Sequence, residues 1–221
     1  MWHGRLSYKR SAALSQFIIH RGLIITVIQA IFSLIFFFVA IPIYNGYLML
    51  GYTTIYTSLP VFSLVLDEDV NVNSVMKFPP LYKTLQLGRS LNTKTFLIWM
   101  FKSIFQGTII MLGTVIFFND SFANIVTITF SSLILIELLN VYSEVHKPNI
   151  KIFAASILTG VMYILSIALL RTYFDTSYIT WTFVLQVIAV SMLSWMPLHL
   201  VKCIFQKIQP TEERKIMKQD Q

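Results

Sequence analysis

Apolar residues along the chain gather into six stretches of the length that crosses a bilayer, roughly 20 residues each, separated by polar punctuation. The stretches run Leu23–Tyr44, Tyr47–Leu66, Phe96–Phe118, Phe122–Tyr142, Ile152–Leu170 and Ile179–Leu200, and they predict an all-α membrane protein of six transmembrane helices. Only Asn45 and Gly46 separate the first two, which predicts a tight antiparallel hairpin with Pro42 near its turn, where a lost amide matters least. Asn119 to Ser121 make a similarly short join between the third and fourth.

This pattern divides the chain into a polar and mixed amino-terminal segment, 1–21, a six-span membrane region, 22–200, and a basic tail, 201–221. Within the membrane region the loop 67–95 is the one sizeable soluble connection, too small to fold as a nucleotide-binding domain. Segment 1–21 is followed by an apolar stretch too long for a cleaved signal. Ser7 to Gln16 mix apolar and basic groups in the manner of a short amphipathic helix leading into the first span.

Charge adds an orientation. Fifteen Lys and Arg residues fall before the first span, in the loop 67–95, around Lys147 and Lys151, or in the tail, against Arg171 alone on the other side. By the positive-inside rule both termini and the long loop are expected in the cytosol, consistent with an even number of spans. Composition agrees with lipid as the solvent: 56% of residues are hydrophobic and 12% charged. The net charge of +7 is spread over loops and is not gathered with stacking aromatics, which argues against a nucleic-acid partner. A single cysteine, Cys203, excludes an internal disulfide.

Polar groups at membrane depth are costly and are functional candidates by default. Glu137 lies in the fourth span and Lys102 two turns into the third, where its long side chain can snorkel to the surface. A pair between them would relieve both penalties. Gln29 in the first span suits an interhelical hydrogen bond or a polar substrate path. In the second span, Thr53, Thr54, Tyr56, Thr57 and Ser58 place hydroxyls directly before Pro60, which withdraws the hydrogen bond to the carbonyl of Tyr56. A kink at Pro60 is expected, serving either a transport path or the relief of an ordinary proline bend. Pro197 in the sixth span has less polar company and reads as a simple kink.

Other features carry less. Asp67, Glu68 and Asp69 read as a solvated loop start, and His3, His20, His146 and His199 sit at span edges without metal-ligand spacing. No metal site is expected. Asn119, Asp120 and Ser121 match a glycosylation pattern, but in a loop too short to lift the asparagine off the bilayer; Cys203 is positioned for palmitoylation, though a lone cysteine there is usually unmodified.

Taken in order, several segments resemble a known family. His3, Gly4, Arg5, then Ser7, Tyr8, Lys9 and Arg10, running into the first span, resemble the stalk of type IV P-type ATPases, the phospholipid flippases. YTSLPVFSLVLDEDV from Tyr56 to Val70 resembles their sixth membrane helix, and FPPLYK from Phe78 and NTKTFLIW from Asn92 resemble the next connection and helix. The resemblance covers essentially the whole chain and is nearest to the NEO-like branch.

The resemblance implies the last six of ten spans of an ATP-driven pump that moves phospholipid toward the cytosolic leaflet, in endosome or Golgi membranes. The family's motifs DKTG, TGES and GDGxND are absent from these residues, so ATP and Mg2+ are implied for a full-length enzyme and this chain alone is expected to be non-catalytic. Its implied partners are the bilayer, the catalytic domains of a parent pump and, as an open question, an accessory subunit. By resemblance the headgroup path is lined by Arg21, Gln29, Thr57, Ser58 and Pro60. Arg21 stands where many members have lysine and Gly22 where they have asparagine, a departure that weakens any expectation of a phosphatidylserine preference. A non-catalytic membrane subunit, or a self-contained six-span transporter or channel, are the alternatives; inverted repeats, the usual mark of the latter, are not evident.

Overall fold

A computed structural model describes residues 2–65, 92–117, 122–145, 150–169 and 181–208. The described residues form α1 (Trp2–Ile35), α2 (Gly46–Gly51), a π turn (Tyr52–Tyr56), α3 (Ser58–Val65), α4 (Thr93–Phe117), α5 (Phe122–Glu144), α6 (Ile150–Leu169) and α7 (Trp181–Ile208). Most of the loop 67–95, the Asn119 pattern, His146, Arg171 and the tail beyond 208 lie outside the described residues.

Five of the described helices, α1, α4, α5, α6 and α7, are long and apolar enough to cross a membrane. The second hydrophobic stretch is different, because it is divided among α2, the π turn and α3. The described residues are thus all-α, with five uninterrupted candidate spans and one broken apolar element among them.

α1 is one continuous helix of 34 residues, about 51 Å at the helical rise. That exceeds a hydrocarbon core of about 30 Å, so the amphipathic segment and the first span form a single rod. The rod ends at Ile35, nine residues before the expected limit at Tyr44. The residues from 36 to 45 read as helix by hydropathy alone, but Pro42 lacks an amide hydrogen and restrains Ile41 before it. Phe37 and Phe38 instead adopt left-handed backbone, with φ of 53° and 60°, at about 1–2 kcal/mol each. The amide of Phe38 donates to the carbonyl of Ser33 at 2.7 Å, holding the turn. The expected tight Asn45–Gly46 hairpin is therefore a wider irregular connection.

The second correction concerns Pro60. A kink was expected at the proline, yet α3 runs through it from Ser58 to Val65 and the irregularity lies one turn earlier. A proline ring collides with the carbonyl four residues before it, here that of Tyr56. The backbone widens ahead of that point into the π turn, and Thr57 leaves helical register at φ −107°.

α5 forms the centre: 78% of its spanning window is buried inside the protein, against 17–39% for the other four helices. α4 and α7 pack on it and on each other, α1 packs along α4, and the broken element packs between α1, α6 and α5. Phe130 of α5 is fully buried and has Tyr44, Tyr52, Tyr56 and Tyr163 within 5.4–6.3 Å, ring centre to ring centre. Ile24, Ile28 and Phe32 of α1 meet Ile110 and Met111 of α4 in the same core. Large apolar side chains such as Ile164, Leu185 and Leu193 cover the outside, while His20, Gln106, Glu137 and Asn140 are buried. A water-soluble protein has the opposite arrangement.

α1 and α4 approach most closely at Gly107, where an added Cβ would stand 2.9 Å from Val27 Cγ1 and 3.1 Å from the carbonyl oxygen of Ile24. The stiff valine and the backbone have little room to yield. Gly107→Ala is expected to lower stability by about 1–3 kcal/mol, and Gly107→Leu by more, as read by thermal unfolding in detergent micelles. Gly160→Ala, with nothing within 4 Å of its added carbon, is the control and should leave stability unchanged or raised.

Candidate functional site

The π turn creates a local demand for hydrogen-bond donors. Its carbonyls face amides five residues on, not four, a wider register that side-chain donors can also reach, and in lipid any carbonyl left open must be satisfied by protein. Thr57 Oγ1 donates to the carbonyl of Tyr52 at 2.7 Å, and Ser58 Oγ donates to that of Thr53 at 3.2 Å. Thr53 and Thr54 hydroxyls bond back to Met49 and Leu50 carbonyls at 2.7–3.1 Å. The hydroxyl-rich sequence before Pro60 thus stabilises a break already forced by the proline.

Arg21 of α1 completes this arrangement. Its Nη1 donates to Thr57 Oγ1 and, at 3.3 Å, to the carbonyl of Thr53. Its Nε and Nη2 hydrogens have no partner among the described residues, and Thr53, Thr54 and Ile55 beside them are exposed. A guanidinium held on one edge with its other edge open can accept a planar oxyanion in bidentate fashion. Arg21, Thr57 and Ser58, separated by up to 37 positions, therefore meet around the Thr53 carbonyl, with Pro60 following on the same helix.

Gln29 does not join them. Its Nε2 donates to the carbonyl of Ile41 at 3.1 Å and its Oε1 accepts the amide of Ile43 at 2.9 Å, so it secures the irregular connection after α1. Of the two sequence-level readings of Gln29, the structural hydrogen bond is the one observed, made to backbone and not to another helix.

Lys102 and Glu137 do not pair. Lys102 Nζ lies 3.5 Å from Glu144 Oε1 and 4.4 Å from the centre of the Trp99 ring, and Lys202 Nζ lies 2.9 Å from the same carboxylate. Glu144 is two helical turns nearer the end of α5, so Lys102 reaches outward instead of inward. A cavity of about 810 Å³ opens beside these groups, between the first turns of α4 and the last turns of α5 and α7. His199 at its wall stacks on Trp195 with ring centres 4.3 Å apart and bonds Ser143 at 3.1 Å. Cys203 Sγ is 3.6 Å from the same ring.

The largest surprise is His20. It does not sit at a span edge but is fully buried at the junction of α1, α4 and α5. Asn140 and Gln106 exchange two amide bonds of 3.0 and 3.2 Å, and Asn140 Nδ2 also bonds His20 Nε2 at 3.0 Å. With Asn140 donating, the His20 Nδ1 hydrogen goes to Ser103 Oγ at 2.6 Å, which donates to the carbonyl of Trp99 at 2.9 Å. Ser194 of α7 caps the cluster through the Gln106 carbonyl at 3.3 Å. Glu137 borders it, its Oε1 3.9 Å from His20 Nε2 and 3.2 Å from the hydroxyl of Tyr52. The sequence carried a signal for this network: Ser103 and Gln106, and Glu137 and Asn140, stand three apart within apolar spans and so share a helix face.

Among the described residues no group of three or more His, Cys, Asp or Glu side chains could hold a metal ion. Residues 1–211 match the family described as phospholipid-translocating P-type ATPase C-terminal. The chain belongs to that family. It is 48% identical over 217 residues to the probable phospholipid-transporting ATPase IIB of Bos taurus, covering 98% of this chain and 19% of the relative. It is 44% identical to the probable phospholipid-transporting ATPase tat-5 of Caenorhabditis elegans, covering 97% and 20%. To the phospholipid-transporting ATPase NEO1 of Saccharomyces cerevisiae it is 39% identical over 220 residues, covering 98% and 19%. The chain spans about a fifth of the length of these relatives. The resemblance to the NEO-like branch is thereby borne out.

The buried network and the peripheral ion pairs should respond differently to substitution. Asn140→Leu removes the partner of His20 Nε2 and of the Gln106 side-chain amide, leaves the His20–Ser103 bond in place, and is expected to destabilise by about 1–3 kcal/mol for each orphaned group. Glu144→Gln removes pairs whose side chains are only partly buried and is expected to cost about 1 kcal/mol or less. Unfolding midpoints of the two variants in the same detergent rank them.

Proposed function

We propose that this chain is the carboxy-terminal membrane region of an ATP-driven phospholipid translocase, and that lipid headgroups pass along the break in its second apolar element. The observation that carries this reading is the Arg21 guanidinium fixed on one side to Thr57 and the Thr53 carbonyl, with its other side open beside an exposed π turn. Every phospholipid carries a phosphate anion, a group that an open guanidinium edge suits, whatever headgroup follows it. The exposed apolar flank of the bundle can keep acyl chains in lipid while the phosphate meets Arg21, Thr57 and Ser58. Pro60 acts by enforcing the irregular backbone, and Gln29 by holding the connection that ends α1.

On this reading the six apolar elements are the last six spans of the pump, with both termini and the loop 67–95 cytosolic. The segment 1–21 is a cytosolic stalk, 22–200 the membrane domain and 201–221 a cytosolic basic tail. Support comes from the biased distribution of Lys and Arg, from the unbroken α1 joining stalk to span, and from family membership. ATP and Mg2+ act on residues outside this chain, which contains no DKTG, TGES or GDGxND sequence. Phosphoryl transfer there would be coupled to the membrane helices by movement at a distance, for which a rod as long as α1 is suited. Net lipid movement is toward the cytosolic leaflet, and endosome or Golgi is the proposed location. An accessory subunit is a proposed partner only in so far as the family includes pumps that require one.

The test uses the intact ATPase carrying this chain, reconstituted in vesicles with fluorescent short-chain phospholipids, ATP and Mg2+. Arg21→Ala should reduce ATP-dependent translocation about tenfold or more, the effect of losing a charge-assisted hydrogen bond. Gln29→Ala should act mainly on thermal stability. Equal translocation by the Arg21 variant and the unaltered protein would remove the phosphate from this site.

A further inference from the structure

The open edge of Arg21 lies at one end of a hydrogen-bonded chain that begins deep in the bundle. Glu137 of α5 is 2% exposed; its Oε1 accepts the Tyr52 hydroxyl at 3.2 Å, and its Oε2 has no partner among the described residues. Tyr52, itself fully buried, is the first residue of the π turn. Its carbonyl accepts Thr57 Oγ1, and Thr57 Oγ1 in turn accepts Arg21 Nη1. One residue thus connects α5 to the break by its side chain and closes the break by its backbone.

A π turn is an α-helix widened by one residue, so the place of the extra residue is a choice of register. Something must hold it in place. Packing confines the rings, with Tyr52 and Tyr56 edge-on to Phe130 at 6.3 and 6.0 Å, but supplies no partner for the Tyr52 hydroxyl. The hydroxyl of Tyr52 bound to a carboxyl on the best-buried helix is directional and is not interchangeable with a neighbouring position. A carboxyl at this depth is also expensive to bury, so bundle stability alone does not account for it.

We infer that Glu137 is a positioning residue which, through Tyr52, pins the register of the π turn and so fixes where Arg21 and Thr57 present their polar groups to a phospholipid. The headgroup part of this inference rests on the transport reading above; the pinning does not.

Two measurements on the intact ATPase in mixed micelles separate them: hydrogen exchange of the amides from Thr53 to Ser58, and ATP hydrolysis against the concentration of dioleoyl phosphatidylcholine, phosphatidylethanolamine or phosphatidylserine. Tyr52→Phe and Glu137→Leu should each accelerate exchange in this segment about tenfold, the loss of one buried hydrogen bond to a carboxyl, and the double variant should go no further because both remove the same bond. Glu137→Gln keeps an acceptor for the hydroxyl and should stay within about twofold of the unaltered protein. The half-stimulating lipid concentration should rise by the same factor in the first two variants, with maximal rate little changed. A change in bundle stability alone would lower maximal rate and leave that concentration unmoved.

Unaltered exchange in Tyr52→Phe, additive effects in the double variant, or a Glu137→Gln as damaging as Glu137→Leu overturns the pinning. Should Glu137→Leu fail to fold, Tyr52→Phe carries the test. Accelerated exchange in an enzyme that no phospholipid stimulates supports the pinning and overturns the transport reading.

Discussion

Pro60 withholds one amide hydrogen from a helix that has no water to replace it, and much of the functional geometry follows from that deficit. The collision of its ring with the Tyr56 carbonyl widens the backbone into a π turn, and the wider register opens its carbonyls to further donors, which lipid cannot supply. Hydroxyls from Thr57 and Ser58 take up part of the demand within the segment. Arg21 contributes further donors from another helix, and this draws a cation to the break.

The same rule, applied to side chains, organises the interior. Apolar surface costs nothing to expose to acyl chains, so the outside of the bundle is free to be apolar and the core is where polar groups find one another. Ser103, Gln106, Asn140 and His20 form such a set, hydrogen-bonded to one another across three helices. Glu137 stands at the border between this satisfied network and the broken element, with a single described hydrogen bond to Tyr52. The interior thus sets a fully bonded network on one side of Glu137 and a helix of altered register on the other.

Family membership and geometry bear on different questions. The match over residues 1–211 assigns the chain to the phospholipid-translocating P-type ATPase C-terminal family, but it does not say which of its polar residues meet. Gln29 and Arg21 illustrate the difference. Two helical turns apart on one rod, they serve separate ends of the irregular segments that follow, the first holding a connection and the second completing a break.

Local sequence determined the properties that depend on a few neighbouring residues. Hydropathy runs established the membrane helices to within a few positions for α4, α5 and α6, and proline with its preceding hydroxyls marked the disturbed turn. Tertiary structure decided everything that depends on a helix's rotation about its axis and its depth beside another. Apolar periodicity is weak in helices that are apolar all round, so nothing in the sequence said that Lys102 faces Glu144 and not Glu137, or that His20 is enclosed. The end of α1 at Ile35 belongs to the same class, because hydropathy cannot distinguish an apolar helix from an apolar connection whose backbone is satisfied by Gln29 from within α1. Sequence alone names the polar groups a membrane protein must hide; packing alone determines which of them hide together.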